Sequence, residues 1–297
     1  MCRHLAWIGA PRTLARLTLE RPHSLLRQSW APRQMRYGTI NADGFGAGWY
    51  APELRAAPAR VRRAVPMWTD ASYASMAGVI ASGCVLAAVR SATVGMPVEE
   101  SATAPFTDGT RLLSHNGRVD ATAVRALLRA RPGAPPPEST CDSALLAALV
   151  WERAGAAPLA DAVADVVTSL AAADLADSAG TATPWAVDWS AGPEPPAPAL
   201  PAPEPAGSEP AGPEPTGSVP DRTERPALGR ARLNLLVTDG SHLVATAWGD
   251  TLCYRVEADG VLVASEADDD ESGWITVPDH HLLVADTHKV TLRSLIA

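Results

Sequence analysis

Leu233-Asn234-Leu235-Leu236-Val237-Thr238-Asp239-Gly240-Ser241-His242-Leu243-Val244-Ala245-Thr246-Ala247 sets two apolar runs around an Asp-Gly pair. Asp-Gly tolerates the positive φ that a tight turn needs, so the stretch predicts two antiparallel strands joined as a hairpin. Asp259-Gly260 repeats the arrangement before Val261-Leu262-Val263. The block from Ala231 to Ala297 therefore reads as mostly β. Its roughly seventy residues would make a marginal domain alone. Its strands are expected to complete a sheet begun earlier in the chain.

The earlier block mixes both element types. Gly83-Cys84-Val85-Leu86-Ala87-Ala88-Val89-Arg90 reads as a buried strand ending in a charge. Asp142 to Glu152 reads as a helix, with Thr140 placed to cap it. Pro158 to Leu170 carries Leu159, Val163, Val166, Val167 and Leu170 at helical spacing. Between the blocks, from about Ser190 to Pro226, the sequence is mostly Pro, Ala, Glu, Gly and Ser. Such a stretch cannot bury enough surface to offset its ordering entropy. It is expected to be a disordered or polyproline-like surface insertion, and its functional alternative is a docking tail for a Pro-binding module.

The 297 residues suffice for one large domain or two small ones, with 46% hydrophobic and 20% charged residues as in a soluble globular protein. A net charge of −8 and the lack of a Lys/Arg block argue against a nucleic-acid surface. No run of eighteen apolar residues appears, so no membrane span is expected. The N-terminus has no long apolar segment of the secretory kind. Cys2, Cys84, Cys141 and Cys253 show no CxxC spacing, which speaks against a zinc knuckle or thioredoxin-like motif. The chain reads as cytoplasmic with reduced thiols. His280-His281 near Asp268-Asp269-Asp270-Glu271 is the one hint of a metal site, but the acidic run reads as a solvated loop and no HExxH is present.

Cys2 follows the initiator Met directly. Removal of Met1 leaves a residue with both a thiol and a free α-amine. An α-amine titrates near 8, so it can take the thiol proton and later pass one to a leaving amine. Asn41-Ala42-Asp43-Gly44-Phe45-Gly46-Ala47-Gly48-Trp49-Tyr50 lacks both the P-loop Lys-Ser/Thr and a GxGxxG, so it reads as a tight turn between strands with no phosphate role. In Ser114-His115-Asn116-Gly117 the Asn amide and a backbone N–H can aim two donors at one point, as an oxyanion hole requires. Asn-Gly is equally a common hairpin turn. Arg90 suits a carboxylate through paired hydrogen bonds, and Asp142 suits an ammonium; each reads otherwise as a surface charge or cap.

Together these residues resemble the class II, N-terminal-cysteine glutamine amidotransferase superfamily. Met1-Cys2-Arg3-His4-Leu5-Ala6-Trp7-Ile8-Gly9, Pro22-His23-Ser24-Leu25-Leu26-Arg27-Gln28-Ser29-Trp30-Ala31-Pro32-Arg33 and Asn41 to Gly46 are similar, within it, to the ergothioneine-pathway hydrolases of γ-glutamyl-hercynylcysteine sulfoxide. The resemblance runs over both blocks and skips the Pro-rich stretch. It implies an α+β fold, a four-layer αββα sandwich of N-terminal-nucleophile hydrolase type. One such domain would span 2–297, interrupted at about 190–226. It implies Cys2 as nucleophile and Asn116 with Gly117 as oxyanion hole. It implies that Arg90, Thr93 and Asp142 bind the γ-glutamyl group, with no metal and no cofactor. The implied partner is a small γ-glutamyl substrate, cleaved through a Cys2 thioester, without nucleic acid or membrane. The implied alternative is a glutaminase subunit supplying ammonia to a separate synthetase. Val94 stands where synthetase-linked members commonly have His, which weakens that alternative. A non-catalytic scaffold using the Pro-rich stretch is the reading from another class. Trp30, Trp49 and Tyr50 are candidates for an aromatic pocket around a quaternary ammonium, and are expected instead to be core or loop anchors.

Overall fold

The structure, a computed structural model, describes residues 2–36, 38–93, 95–179 and 231–296, with the backbone alone for 175–179. The Pro-rich stretch at 190–226 and Val94 lie outside the described residues. In chain order the strands are β1 (Arg3–Thr13), β2 (Phe45–Ala51), β3 (Arg55–Arg63), β4 (Ala81–Val89), β5 (Phe106–Thr107), β6 (Leu112–Arg118), β7 (Arg232–Thr238), β8 (Leu243–Ala247), β9 (Cys253–Glu257), β10 (Gly260–Ala264), β11 (Ile275–Thr276), β12 (His281–Ala285) and β13 (Val290–Ser294). The helices are α1 (Leu14–Thr18), α2 (Leu25–Gln28), α3 (Ala71–Ala77), α4 (Ala121–Arg129), α5 (Asp142–Ala154) and α6 (Leu159–Ala179).

The strands form two sheets, ordered β11-β9-β10-β1-β4-β2-β3 and β13-β12-β8-β7-β6-β5. β1 sits inside the first sheet, antiparallel to both β10 and β4. β6 pairs antiparallel with β7, bringing Asn116 opposite Asn234. The block after residue 231 is β as its pattern predicts, but it supplies strands to both sheets and does not complete one alone.

Side chains alternate between faces along each strand, and here both faces are buried. Ala6 and Ile8 of β1 meet Leu112, Leu236, Ala245 and Leu283 between the sheets. Leu5 and Trp7 point the other way, against Leu14, Leu17, Leu25 and Tyr73 from the layer of α1, α2 and α3. On the second sheet Leu113, Leu235 and Val237 face Leu146, Val150, Val163 and Val167 from α5 and α6. The result is the expected α+β sandwich, two sheets between helical layers.

Several local expectations need correction. Asn41 to Tyr50 is not a turn: Phe45–Ala51 is strand β2. Its glycines serve close approach, since a Cβ on Gly48 would stand 2.7 Å from Leu112 Cδ1 of the facing sheet. Asp239-Gly240 does occupy a turn, with Gly240 at φ 91°. At Asp259-Gly260, however, Gly260 pairs with Glu257 as the first residue of β10, so the connection is Ala258-Asp259. Glycine is needed there because a Cβ would lie 2.4 Å from the Ile8 carbonyl oxygen and 2.5 Å from the Trp7 ring. Helix α5 begins where expected, but its N-cap is Cys141, without a side-chain hydrogen bond, and not Thr140.

The acidic run is not a solvated loop. Asp268 and Asp269 are buried. Asp269 accepts from Arg255 Nη1 at 2.9 Å and from Trp274 Nε1 at 2.9 Å, and pairs with Arg21. Glu266, also buried, accepts the backbone N–H groups of Arg33 at 2.9 Å and Gln34 at 2.8 Å. Charge in this run is consumed in holding residues 21–34 against the first sheet, and only Asp270 and Glu271 are exposed.

The close approach at Gly260 generates a test. Gly260→Ala should destabilise the fold by about 1–3 kcal/mol, the usual cost of forcing atoms into a packed site. Urea denaturation of the variant beside the wild type reads this directly.

Candidate active site

Cys2 immediately precedes β1, at the end of the strand that lies next to Val89 of β4. It is partly exposed and its thiol is free. It lines a small cleft with Val89, Arg90, Thr103, Phe106, Ser114, His115 and Ser143, among others. The cleft joins one end of both sheets to the start of α5.

Arg90 follows β4 and is held by the loop Asn41–Gly44. Its backbone N–H donates to the Gly44 carbonyl at 2.7 Å and its carbonyl accepts from Asp43 N–H at 2.9 Å. The Asp43 carboxylate accepts the N–H of Ala92 at 2.7 Å. The guanidinium donates to the Pro97 carbonyl at 2.8 Å. It is 8% exposed, and no carboxylate among the described residues forms an ion pair with it. A buried guanidinium at a cleft wall suits an incoming carboxylate.

Asn116 and Gly117 are strand residues of β6, so the hairpin-turn reading falls away. Asn116 faces the first sheet and is fully buried. Its amide donates to Asp250 Oδ2 at 3.3 Å and Ser265 Oγ at 3.5 Å. Its Oδ1 has no hydrogen-bond partner among the described residues. Asp142, at the first position of α5, is buried and accepts from Val119 N–H at 3.2 Å and Ser143 N–H at 2.9 Å. Asn116, Gly117 and Asp142 therefore flank the cleft and are not among its lining residues. Thr93 is exposed in the loop after Arg90, its carbonyl accepting from Met96 N–H at 2.9 Å.

Behind Cys2 lies a layer of buried polar groups that sequence patterns did not single out. Ser265 Oγ accepts from His4 N–H at 3.0 Å, and Ser265 N–H donates to the His4 carbonyl at 2.9 Å. His4 Nδ1 lies 3.1 Å from Ser114 Oγ. Arg3, fully buried, donates to Thr251 Oγ1 at 3.1 Å and stands 4.0 Å from both Asp250 and Glu266. Burial pulls the Arg3 guanidinium below its usual value against those two carboxylates, and pushes the Asp250 carboxyl up against the pull of Arg3. Asn234 donates to the carbonyls of Asp250 and Thr251 at 3.1 Å, fixing the loop that carries Asp250. Nothing local in the sequence marks these residues, because their partners come from distant strands.

The aromatic candidates are anchors. Tyr50 OH lies 2.9 Å from the Thr110 carbonyl and 3.0 Å from that of Thr238. Trp49 pairs with Val85, four residues along β4 from Val89, or roughly 13 Å from the Cys2 end. Trp30 stacks edge-on against Trp68 with centroids 5.8 Å apart.

The fold is of a known class. A solved glutamine aminotransferase class-II domain protein from Silicibacter pomeroyi superposes with a TM-score of 0.56 at 18% identity, covering 100% of both chains. The architecture is that of class II glutamine amidotransferases, which are N-terminal-nucleophile hydrolases. The chain is 41% identical over 295 residues, 99% of its length and 97% of the relative's, to the γ-glutamyl-hercynylcysteine sulfoxide hydrolase of Mycobacterium tuberculosis (strain CDC 1551 / Oshkosh). It is 43% identical over 291 residues, 98% of each chain, to the protein of that name from Mycolicibacterium smegmatis. No protein-family model matches the chain. At this identity and coverage, the chain belongs to the γ-glutamyl-hercynylcysteine sulfoxide hydrolase family.

The buried histidine in this site has a consequence for stability. Burial, then the neighbouring His115 and Arg3, push His4 from 6.5 down to about 3. Between those values the unfolded chain binds a proton that the folded chain does not. The contribution of His4 is therefore complete above about pH 6.5 and is lost as pH falls toward 3, at about 1.4 kcal/mol per pH unit. Urea unfolding near pH 7 and near pH 5 should show wild type losing about 2 kcal/mol more than His4→Asn. Shifts at Asp250 and Asp268, which act in the opposite direction, are common to both proteins and cancel in this difference.

Proposed function

We propose that this chain hydrolyses the γ-glutamyl amide of γ-glutamyl-hercynylcysteine sulfoxide to glutamate and hercynylcysteine sulfoxide, a step of ergothioneine biosynthesis. The relatives that carry this activity in their names match nearly the whole chain. The observation that carries the reading is the shared cleft of Cys2, placed at the head of β1, and the buried Arg90, which forms no ion pair within 4.0 Å among the described residues. The described residues include no helix long and apolar enough to cross a membrane. The reading needs one catalytic domain over 2–297 and a small-molecule substrate.

In this mechanism the α-amine of Cys2, free once Met1 is removed, accepts the thiol proton. The thiolate attacks the γ-carbonyl carbon, and the C–O π electrons move onto oxygen. The Asn116 amide and the Gly117 N–H stabilise that oxyanion. Collapse breaks the C–N bond, and the ammonium of Cys2 protonates the leaving amine. Water then adds to the γ-glutamyl thioester, and the thiol leaves with a proton as glutamate is released. Arg90 holds the α-carboxylate and Asp142 supplies negative charge toward the α-ammonium. Thr93 belongs to the loop that follows Arg90.

Purified protein given γ-glutamyl-hercynylcysteine sulfoxide should release glutamate, and Cys2→Ala should release none above background. Equal turnover by the variant would remove Cys2 from the mechanism. Release from glutamine alone would move the substrate assignment and keep the nucleophile. Mass spectrometry should find a mature chain starting at Cys2. Asn116→Ala should lower kcat by about 10²–10³, the usual loss for one oxyanion donor. Single-turnover rates check this, and an unchanged rate would exclude the amide from the oxyanion hole.

A further inference from the structure

His115 and Ser143 have no role in the mechanism above, yet both line the cleft with Cys2 and Arg90. His115 is buried and both its ring nitrogens are engaged. Nε2 lies 2.8 Å from the Arg232 carbonyl oxygen, which can only accept, so Nε2 carries the hydrogen. Burial keeps the ring neutral, which leaves Nδ1 a lone pair. That lone pair faces Ser143 Oγ at 2.9 Å, so the serine hydroxyl is the donor in this contact. The competing acceptor, Asp142 Oδ1, is farther at 3.4 Å.

With its hydrogen given to His115, the Ser143 oxygen offers the cleft lone pairs only. A hydroxyl fixed this way prefers a donor, and a cationic donor most of all. Asp142 adds the negative charge just behind, but its two oxygens already accept from Val119 and Ser143 N–H groups. The same cleft is lined by Arg90, suited to a carboxylate. An α-amino acid end presents just this pair, a carboxylate and an ammonium on one carbon.

We propose that Ser143 is a specificity residue that touches the substrate, its hydroxyl oxygen accepting a hydrogen bond from the α-ammonium of the γ-glutamyl group. His115 is the positioning residue that turns the hydroxyl. The inference rests on assigning this cleft to the γ-glutamyl group.

The test is a binding ratio and does not depend on turnover. Calorimetry on the full chain measures L-glutamate and glutarate, which lacks only the α-ammonium. Wild type should prefer glutamate. Ser143→Ala should lose about tenfold in glutamate affinity with glutarate unchanged, as expected for one hydrogen bond to a charged group. Ser143→Thr keeps the hydroxyl and should keep the preference. Should Ser143→Ala fail to fold, Ser143→Cys, similar in shape and a poor acceptor, should show the same loss. Equal losses for both ligands, an unchanged ratio, or a wild type that binds neither or does not distinguish them would overturn the proposal. A wild type that releases no glutamate from γ-glutamyl-hercynylcysteine sulfoxide or from glutamine would instead sink the amidohydrolase reading and leave the ratio to stand.

Discussion

The hydroxyl of Ser265 joins the strand that follows Cys2 to the strand that carries Asn116. It accepts from His4 N–H at 3.0 Å and from the Asn116 amide at 3.5 Å. Over most of their area the two sheets touch through Ala6, Ile8, Leu112, Leu236 and similar side chains. Contacts of that kind hold layers together without setting direction. At the cleft end the contact is through hydrogen bonds, which do set direction. The proposed nucleophile and oxyanion donor thus come from different sheets but share one fixed frame.

That frame is itself backed by charge. Asp250 orients the Asn116 amide, because the opposite orientation would set a carboxylate against the amide oxygen. Arg3 lies near Asp250 and Glu266, and Glu266 accepts two backbone N–H groups from residues 33 and 34. Asp268 and Asp269 take up Arg21 and Arg255. Buried charges of this kind add little net stability as pairs, yet losing one partner is costly. Their effect here is to hold residues 21–34 and the head of β1 in one arrangement.

The cleft combines a guanidinium without an ion-pair partner among the described residues and the neutral ring of His115, with a carboxylate and the neutral His4 one layer back. Neutral histidines leave the positive charge of Arg90 undivided. In a partly desolvated site such charges act more strongly than they would in water.

How much of this was legible in the sequence differs from residue to residue. The apolar runs around Asp239-Gly240, helical spacing in Leu159–Leu170 and the run Gly83–Arg90 revealed strands and helices, because these are local patterns that backbone geometry imposes. Cys2, Arg90, Asn116 and Asp142 were visible as residue types and, through a family resemblance, as one constellation. Local sequence misread Asn41–Tyr50, Gly260 and the acidic run 268–271. A glycine looks the same whether it serves a turn or the approach of another strand, and an acid looks the same whether water or a distant arginine faces it. Ser143, His115, Asp250 and Ser265 acquired meaning only in three dimensions. Sequence by itself determined the elements and the proposed nucleophile at the head of β1. Tertiary structure alone decided what stands around that position, because the bonds from His4 to Ser114 and to Ser265 join residues 110 and 261 positions apart.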